Sequence, residues 1–185
     1  GGTGAAAALG AVFTREDGSS FVPTGATLCQ VESVDCTPVK EALQGVELTV
    51  MCDIDNPLFG KTGAAYVFAP QKGANDAMVE RLDAGLRHLG QVVSQCLGED
   101  VSQLPGAGAA GGLGFGMAAF CGAKLKMGID VVLDTVGFDE LLQTADLVFT
   151  GEGKIDFQSI RGKVVSGVSG RCKKFQVPVI AVVGQ

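Results

Sequence analysis

The sequence has few of the residues on which particular classes of protein depend. Its 185 residues include no tryptophan, one tyrosine and one histidine, and the formal net charge is −6. A nucleic-acid-binding protein would instead present a basic surface and aromatic side chains on which bases stack. No apolar run approaches the ~18 residues that a membrane-spanning helix needs. We therefore expect neither a nucleic-acid partner nor a membrane span.

Histidine and paired cysteines are also scarce. The single histidine, His88, lies beside the apolar stripe of a predicted helix, which favours a structural role and argues against hydrolases whose nucleophile needs a histidine. None of the six cysteines forms a C-x₂-C pair, so a zinc site is not expected. Cys52, Cys121 and Cys172 lie in apolar or helical runs, as buried free thiols do. Reduced cysteines and the lack of a signal peptide predict a cytoplasmic protein.

Glycine, in contrast, is abundant. It supplies 28 of the 185 residues, about twice its average share of ~7%. Apolar residues still make up 46% of the chain, enough to bury a core, and the length suits one domain and a fraction of another at ~100–200 residues per domain. A helix-like run follows Gly1–Gly4 at once, and the final strand lacks a following helix. We therefore expect a piece of a longer chain, cut at both ends.

Apolar periodicity predicts an α/β fold with helices layered around a mostly parallel sheet. The clearest helix is predicted over residues 75–97, where apolar residues recur every three or four positions between possible caps at Asn75 or Asp76 and at Gly98. Apart from a short helix at Thr37–Gly45, residues 14–45 are expected to be irregular. The other predicted helices cover residues 3–12, 117–125, 138–144 and 162–175, and the predicted strands cover residues 46–52, 131–133, 147–149 and 177–183.

Polar residues follow two of the predicted strands, where α/β proteins bind ligands. One set follows the strand that ends at Cys52, and the other follows Thr150 in a glycine-containing turn with more charged residues than a structural turn requires. A third segment, the turn Pro70–Gly73, precedes the long helix. The candidate site residues in these segments are Asp53, Asp55, Asn56, Gln71, Lys72, Glu152, Lys154, Asp156, Gln158, Ser159 and Lys163.

Asp53 and Asp55 have two interpretations. Asx side chains before Pro57 can satisfy backbone groups at a strand end, which is a purely structural role. Two carboxylates near lysines would instead suit Mg²⁺ and a general base for a hydroxyl group. The residues themselves leave both interpretations open.

A glycine-rich segment, Pro105–Gly116, also has two interpretations. Gly106, Gly108 and Gly111 match the spacing G-x-G-x-x-G, but residues 98–105 are not a predicted strand, as a dinucleotide-binding loop requires. Successive N–H groups at the start of a helix would bind an anion, with these glycines and Gly112 allowing close approach. The alternative is a tight backbone crossing between a helix and the sheet.

Four of these segments together resemble the type 1 glycerate kinase family. They occur in the family's order and span nearly the whole chain. Family members continue beyond both ends, and they carry an Asn-Asp pair just upstream of Gly1 that this sequence lacks. The matching segments are Cys52–Leu58 (CDIDNPL), Phe68–Ala74 (FAPQKGA), Pro105–Gly114 (PGAGAAGGLG) and Thr150–Lys163 (TGEGKIDFQSIRGK).

The resemblance implies ATP-dependent phosphorylation of D-glycerate at its 2-hydroxyl group, with ATP and Mg²⁺ as cofactors. It implies a central α/β domain over residues 1–144 and part of a flavodoxin-like domain over residues 145–185. Asp53, Asp55, Lys154 and Asp156 would then be catalytic, and the first two are candidate Mg²⁺ ligands. The other candidates, among them the loop glycines, would bind substrate or phosphate.

Two further functions remain open from the residues alone. The G-x-G-x-x-G spacing is compatible with an NAD-dependent oxidoreductase. An anion-binding module without catalytic activity would account for the glycine loop and the lysines equally well.

Overall fold

Helices and strands alternate along the chain, which confirms the predicted α/β class. The computed structural model describes residues 1–153 and 164–184. The chain divides into two units, residues 1–125 and residues 126–185. The first unit contains helices α1 (Thr3–Ala8), α2 (Thr37–Ala42), α3 (Ala64–Phe68), α4 (Asp76–Leu97) and α5 (Ala109–Cys121), strands β1 (Val12–Thr14), β2 (Ser20–Phe21), β3 (Ser33–Asp35) and β4 (Thr49–Cys52), and 3₁₀ turns at Leu28–Gln30 and Pro70–Lys72.

Helix α4 forms where its apolar stripe and its caps predict it. The Asn75 side chain accepts a hydrogen bond from the Met78 amide, and Gly98 ends the helix with φ 77°, the left-handed conformation that glycine adopts without strain. His88 lies on this helix, and its Nε2 is 2.8 Å from the carbonyl oxygen of Val31. The histidine therefore has the structural role that its position predicted.

The core of the first unit is built on three aromatic rings and the buried face of α4. Phe120 makes edge-to-face contacts with Phe13 and Phe115, with ring centroids 5.6 and 6.1 Å apart, and all three rings are buried. Truncating such a ring to alanine typically costs about 3–5 kcal/mol. Strand β1 and helix α5 are thus held to one core.

Residues 12–35 are more regular than predicted. Strands β1, β2 and β3 form an antiparallel sheet in which Phe13 pairs with Phe21 on one side and with Val34 on the other. Helix α1 ends at Ala8 rather than at residue 12, because Gly10 follows with φ 105°. The sequence signal was weak because these strands are only two or three residues long.

The second unit shows the parallel strand–helix–strand arrangement that was predicted. Strand β6 (Val148–Glu152) pairs in parallel with β7 (Val179–Val183), and helix α8 (Val164–Phe175) lies between them in the sequence. The buried residues Leu133, Leu142, Val168 and Cys172 form its small apolar core.

A half-buried cation joins three helices of the second unit. The helices α6 (Gly128–Thr135) and α7 (Phe138–Leu142) precede β6. The guanidinium of Arg171, on α8, contacts Asp130 and Asp134 of α6 and Asp139 of α7. Its hydrogen bond to Asp134 holds the pKa of that carboxyl below its usual range.

The strand predicted at residues 131–133 is wrong. These residues belong to α6, and the strand lies just before it as β5 (Lys124–Met127), across the boundary of the two units. A short apolar run fits a buried strand or a helix equally well. In β5, lysines alternate with apolar residues, which is the pattern of a half-buried strand. The helix predicted over residues 117–125 likewise ends at Cys121, where Gly122 adopts φ 66°.

All six cysteines are free thiols. Cys36, Cys52 and Cys172 are buried, Cys121 is half-buried, and Cys29 and Cys96 are exposed. Burial raises the pKa of the Cys36, Cys52, Cys121 and Cys172 thiols. Within residues 1–153 and 164–184, no helix is both long enough and apolar enough to cross a membrane.

Candidate functional site

Four of the candidate residues come together at the end of strand β4. Asp53 follows the last residue of this strand and is exposed. It lines a cavity of about 280 Å³ together with Gln71, Lys72 and Gly111. We call this space the Asp53 cavity, which is lined by Met51, Cys52, Asp53, Ile54, Phe68, Gln71, Lys72, Ala109, Ala110 and Gly111.

The first part of the glycine loop is packed against the segment that follows β4. The Gly108 amide donates to the carbonyl of Asn56 at 2.9 Å. A Cβ atom at Gly108 would overlap the carbonyl oxygen of Pro57, and one at Gly106 would lie 3.1 Å from the Cβ of Cys52. Gly106 and Gly108 therefore allow the close backbone packing that was the alternative interpretation to anion binding.

The second part of the loop is packed at Gly112 and open at Gly111. Ala110, Gly111 and Gly112 have left-handed φ values of 50°, 71° and 90°. A Cβ atom at Gly112 would lie 2.7 Å from the Leu58 side chain, whereas one at Gly111 would meet no atom within 4 Å. Of the four loop glycines predicted to bind an anion, Gly111 lines the Asp53 cavity.

The chain reverses its helical hand at Ala110. Ala109 has helical backbone angles and the next three residues are left-handed, and a right-handed residue followed by a left-handed one creates a concave array of backbone N–H groups that favours anions. Ala110 is one of two described non-glycine residues with positive φ, the other being Gln176. Such strain persists only where the surrounding structure imposes it, and it concentrates at functional sites.

Asp55 and Asn56 contribute differently from Asp53. Asp55 is exposed but does not line the Asp53 cavity. The Asn56 side chain donates to the carbonyl of Thr62 at 2.8 Å, while its backbone carbonyl accepts from Gly108. Asn56 thus holds two turns together, a structural contact that its position in the motif did not indicate.

A buried carboxylate supports the same turn from helix α4. Asp83 accepts a hydrogen bond from the Gly60 amide at 2.6 Å, and it is 3.6 Å from the guanidinium of Arg87. Arg87 in turn lies over the ring of Phe59, 4.3 Å from its centroid. The role of Asp83 was not predicted from the sequence, because an acidic residue on a helix ordinarily faces solvent.

A second cavity adjoins the first. It also measures about 280 Å³, and it shares Phe68, Lys72 and Gly111 with the Asp53 cavity. Among the described residues of its lining, Lys72 supplies the one charged side chain. We call it the apolar cavity, which is lined by Gly1, Thr3, Pro23, Thr24, Gly25, Leu28, Ala64, Ala65, Phe68, Ala69, Lys72, Leu82, Leu86 and Gly111.

The thiol of Cys52 at the edge of the Asp53 cavity is a poor nucleophile. Cys52 is buried, and burial raises the pKa of its thiol. The neighbouring carboxylate of Asp53 raises this pKa further. Since only a thiolate attacks efficiently, the arrangement does not suit covalent catalysis by cysteine.

Several candidate residues belong to the second unit or lie outside the described residues. Glu152 ends strand β6 and is half-buried. Five candidates lie outside residues 1–153 and 164–184, namely Lys154, Asp156, Gln158, Ser159 and Lys163.

Asp53 supplies the one carboxylate among the described residues that line the Asp53 cavity. No group of three or more histidine, cysteine, aspartate or glutamate residues within the described part of the chain comes close enough to hold a metal ion. Mg²⁺ that bridges substrate phosphates usually takes only one or two carboxylates from the protein and retains water. The exposed carboxylate of Asp53 in the Asp53 cavity fits that requirement.

The context of the glycine loop argues against a dinucleotide fold. Between helix α4 and the loop, residues 98–108 form turns and contain no strand, whereas the G-x-G-x-x-G fingerprint requires a strand immediately before it. The prediction that residues 98–105 do not form a strand is thus confirmed. Nothing in the described residues favours nicotinamide chemistry.

Known proteins provide an independent comparison. The model of the glycerate kinase family matches residues 1–185. A glycerate kinase of Halalkalibacterium halodurans is 45% identical over 184 residues, which is 100% of this chain and 48% of that protein. A glycerate 2-kinase of Escherichia coli K12 is 42% identical over the same share of each chain.

The fold agrees with the sequence comparison. A crystal structure from Salmonella typhimurium LT2 that carries the name glycerate kinase 2 matches with a TM-score of 0.83 and 43% identity, covering 98% of this chain and 49% of that one. The chain thus spans about half the length of the relatives it matches. With a family match over all 185 residues, the chain belongs to the glycerate kinase family.

Proposed function

We propose that this chain is the central part of an ATP-dependent kinase that phosphorylates D-glycerate at its 2-hydroxyl group. The observation that carries the proposal is that Asp53, Lys72 and the left-handed residues Ala110 and Gly111 line one cavity in a chain of this family. The names of the relatives support the reaction. Phosphoryl transfer depends on positioning and on neutralising charge rather than on covalent catalysis, and these residues offer both.

Charge makes the cations of the site essential. Glycerate and ATP are both anions, and the protein itself carries a formal net charge of −6. Lys72 and the backbone N–H groups of Ala110 and Gly111 would hold phosphoryl oxygens in the Asp53 cavity. Gln71, which lines the same cavity, would donate a hydrogen bond to the D-glycerate that accepts the phosphoryl group.

Asp53 would hold Mg²⁺ through its carboxylate. A bound Mg²⁺ supplies charge neutralisation at the phosphate oxygens. Asp55 follows the same strand and is also exposed. Its carboxylate would act beside that of Asp53.

Roles for the segment after Thr150 rest on its sequence motif. On the strength of the motif, we propose Asp156 as the general base for the hydroxyl group, Lys154 and Lys163 as further cations, and Glu152, Gln158 and Ser159 as substrate contacts. We also propose that residues 145–185 belong to a flavodoxin-like domain, and we extend its start to residue 126, because α6 and α7 share their apolar core with α8. The parallel pairing of β6 with β7 supports that assignment.

The reaction is tested with a polypeptide of the relatives' length that contains these 185 residues. ADP release from ATP should depend on D-glycerate, and ³¹P NMR of the product should identify 2-phosphoglycerate. ADP release that is the same without glycerate would refute the proposal.

The proposed base is tested in the same polypeptide. Asp156→Ala should lower turnover by at least ~10²-fold, which is the usual contribution of a general base. The matched control is Asp146→Ala, at an exposed position ten residues earlier in the sequence. This variant should retain normal turnover. Near-normal turnover of Asp156→Ala would exclude this role.

A further inference from the structure

The apolar cavity is not suited to glycerate. Its walls are mainly aliphatic, with Leu28, Leu82 and Leu86 lining it beside the small residues Ala64 and Ala65. Glycerate is a small anion that carries two hydroxyl groups, so it would leave its polar groups without partners in such a space, which is costly.

The polar side chains of this wall are already engaged within the protein. The Thr3 hydroxyl donates to the carbonyl of Pro23 at 2.9 Å. The Thr24 hydroxyl is 3.2 Å from the hydroxyl of Thr27. The Gly1 amino group, which also lines the cavity, donates to the carbonyl of Gly111 at 2.6 Å. The interior of the cavity therefore presents mainly hydrocarbon to a ligand, with the cation of Lys72 at its rim.

The size of the cavity limits its occupant. Its volume of about 280 Å³ lies just below the ~300–1,000 Å³ of sites for drug-sized ligands. It has room for a planar heterocycle and part of a sugar but not for a complete nucleoside triphosphate. An occupant of that class must extend beyond the cavity.

The rim provides the route by which such a ligand would extend. Phe68, Lys72 and Gly111 line both cavities. Phe68 offers an aromatic ring beside the apolar space, and aromatic rings favour contact with a base. Lys72 and Gly111 then lead to the Asp53 cavity, where the phosphoryl groups are held under the proposed function.

We propose that the apolar cavity binds the adenine base and adjoining ribose of ATP, with the triphosphate passing over Lys72 into the Asp53 cavity. This inference rests on the proposed function and adds the position of the nucleotide in the first unit. It assigns recognition of the base to shape and apolar contact, and recognition of the phosphates to Lys72 and the left-handed turn.

The first experiment uses adenosine, which lacks phosphate, and the 185-residue chain with ¹³C-labelled leucine methyl groups. Adenosine should bind and shift the methyl resonances of Leu82 and Leu86 through the ring current of the base. Tripolyphosphate, which lacks a base, should leave these two resonances in place. Absence of adenosine binding, or shifts confined to methyl groups elsewhere, would overturn the inference.

The second experiment separates the two cavities by substitution. Ala69→Leu fills the apolar cavity and should weaken adenosine binding about tenfold or more, while tripolyphosphate binding persists. Lys72→Ala should have the opposite pattern. Ala84→Leu, at an exposed position of α4, is the matched control and should change neither. Unchanged adenosine binding in a folded Ala69→Leu chain would overturn the inference.

The outcomes distinguish the inference from the proposed function. If ADP release fails to depend on glycerate while adenosine still shifts Leu82 and Leu86, the acceptor is wrong and the base site stands. If glycerate-dependent ADP release occurs and D-glycerate competes with adenosine for the apolar cavity, the proposed function stands and the base site is wrong.

Discussion

The two parts of the glycine loop differ in what their glycines are needed for. Gly108 lies against the backbone of residues 56–57, where a Cβ atom does not fit, and Gly106 lies so close to Cys52 that a Cβ atom would be tight. Gly111, three residues further on, has open space where its side chain would be, and it lines both cavities. A single stretch of glycines thus serves packing at its start and, as proposed, ligand contact at its end.

The largest effect is expected where the loop is packed. Gly108→Ala should lower the free energy of unfolding by about 2–3 kcal/mol, because the new methyl group displaces backbone rather than a flexible side chain. Urea unfolding followed by the fluorescence of Tyr66, the single tyrosine, reports on the first unit. Gly4→Ala is the control, since a Cβ atom there meets nothing within 4 Å. Equal stabilities of the two variants would contradict the packing assignment.

A smaller but still large effect is expected at the charged rim. Lys72→Ala should weaken tripolyphosphate binding by ~10–100-fold without lowering stability, because Lys72 is the one cation among the described residues that line the Asp53 cavity and a hydrogen bond to a charged group contributes about 1.5–3 kcal/mol. Isothermal titration at low salt measures the effect, since salt screens exposed charges. Lys61→Ala is the comparison, because Lys61 lies over the Tyr66 ring outside the Asp53 cavity. If both variants bind alike, Lys72 is not the cation of the site.

Substitution of Gly111 should affect anion binding more than stability, whereas substitution of Gly108 affects mainly stability. Gly111→Ala is expected to cost only about 0.5 kcal/mol of stability, because no atom within 4 Å obstructs the methyl group and the left-handed penalty of about 1–2 kcal/mol is partly offset by the lower entropy of the unfolded chain. Tripolyphosphate binding should fall several-fold, since the methyl group projects into the cavity. Loss of stability as large as that of Gly108→Ala would show that both halves of the loop are packed.

The smallest effect is expected at the strained alanine. Ala110→Gly removes a left-handed penalty of about 1–2 kcal/mol but adds backbone entropy to the unfolded chain, of about 0.5–1 kcal/mol. A net gain of about 0.5 kcal/mol should appear in urea unfolding. A net loss would indicate that Ala110 is not strained and would weaken the argument that the turn is held for binding.

The elements predicted correctly from the sequence are those whose local signals agree with one another. Helix α4 has a stripe, an Asn75 cap and a Gly98 end, and all three are present. The strand at residues 131–133 was wrong because three apolar residues carry no period. Strands β1, β2 and β3 were missed because each has only two or three residues, too few to show the alternation that identifies a strand.

For the site, the residue types were easier to predict than their roles. Asp53, Gln71, Lys72 and Gly111 meet in one cavity, as their motifs suggested. The division of labour within the glycine loop depends on which atoms surround each glycine, and the apolar cavity depends on residues from several separate segments. Neither property is contained in spacing along the chain. Asp83 was missed for a similar reason, because burial of an acid on a helix requires tertiary partners.

The distribution of thiols gives this protein a built-in chemical selectivity. Cys29 and Cys96 are exposed, whereas the other four thiols are shielded and have raised pKa values. A maleimide dye at neutral pH should therefore attach first at two known places. Once those are blocked, any compound that fills the space beside Asp53 should slow the residual alkylation of Cys52, measured at that residue by peptide mass spectrometry, and leave that of Cys121 unchanged.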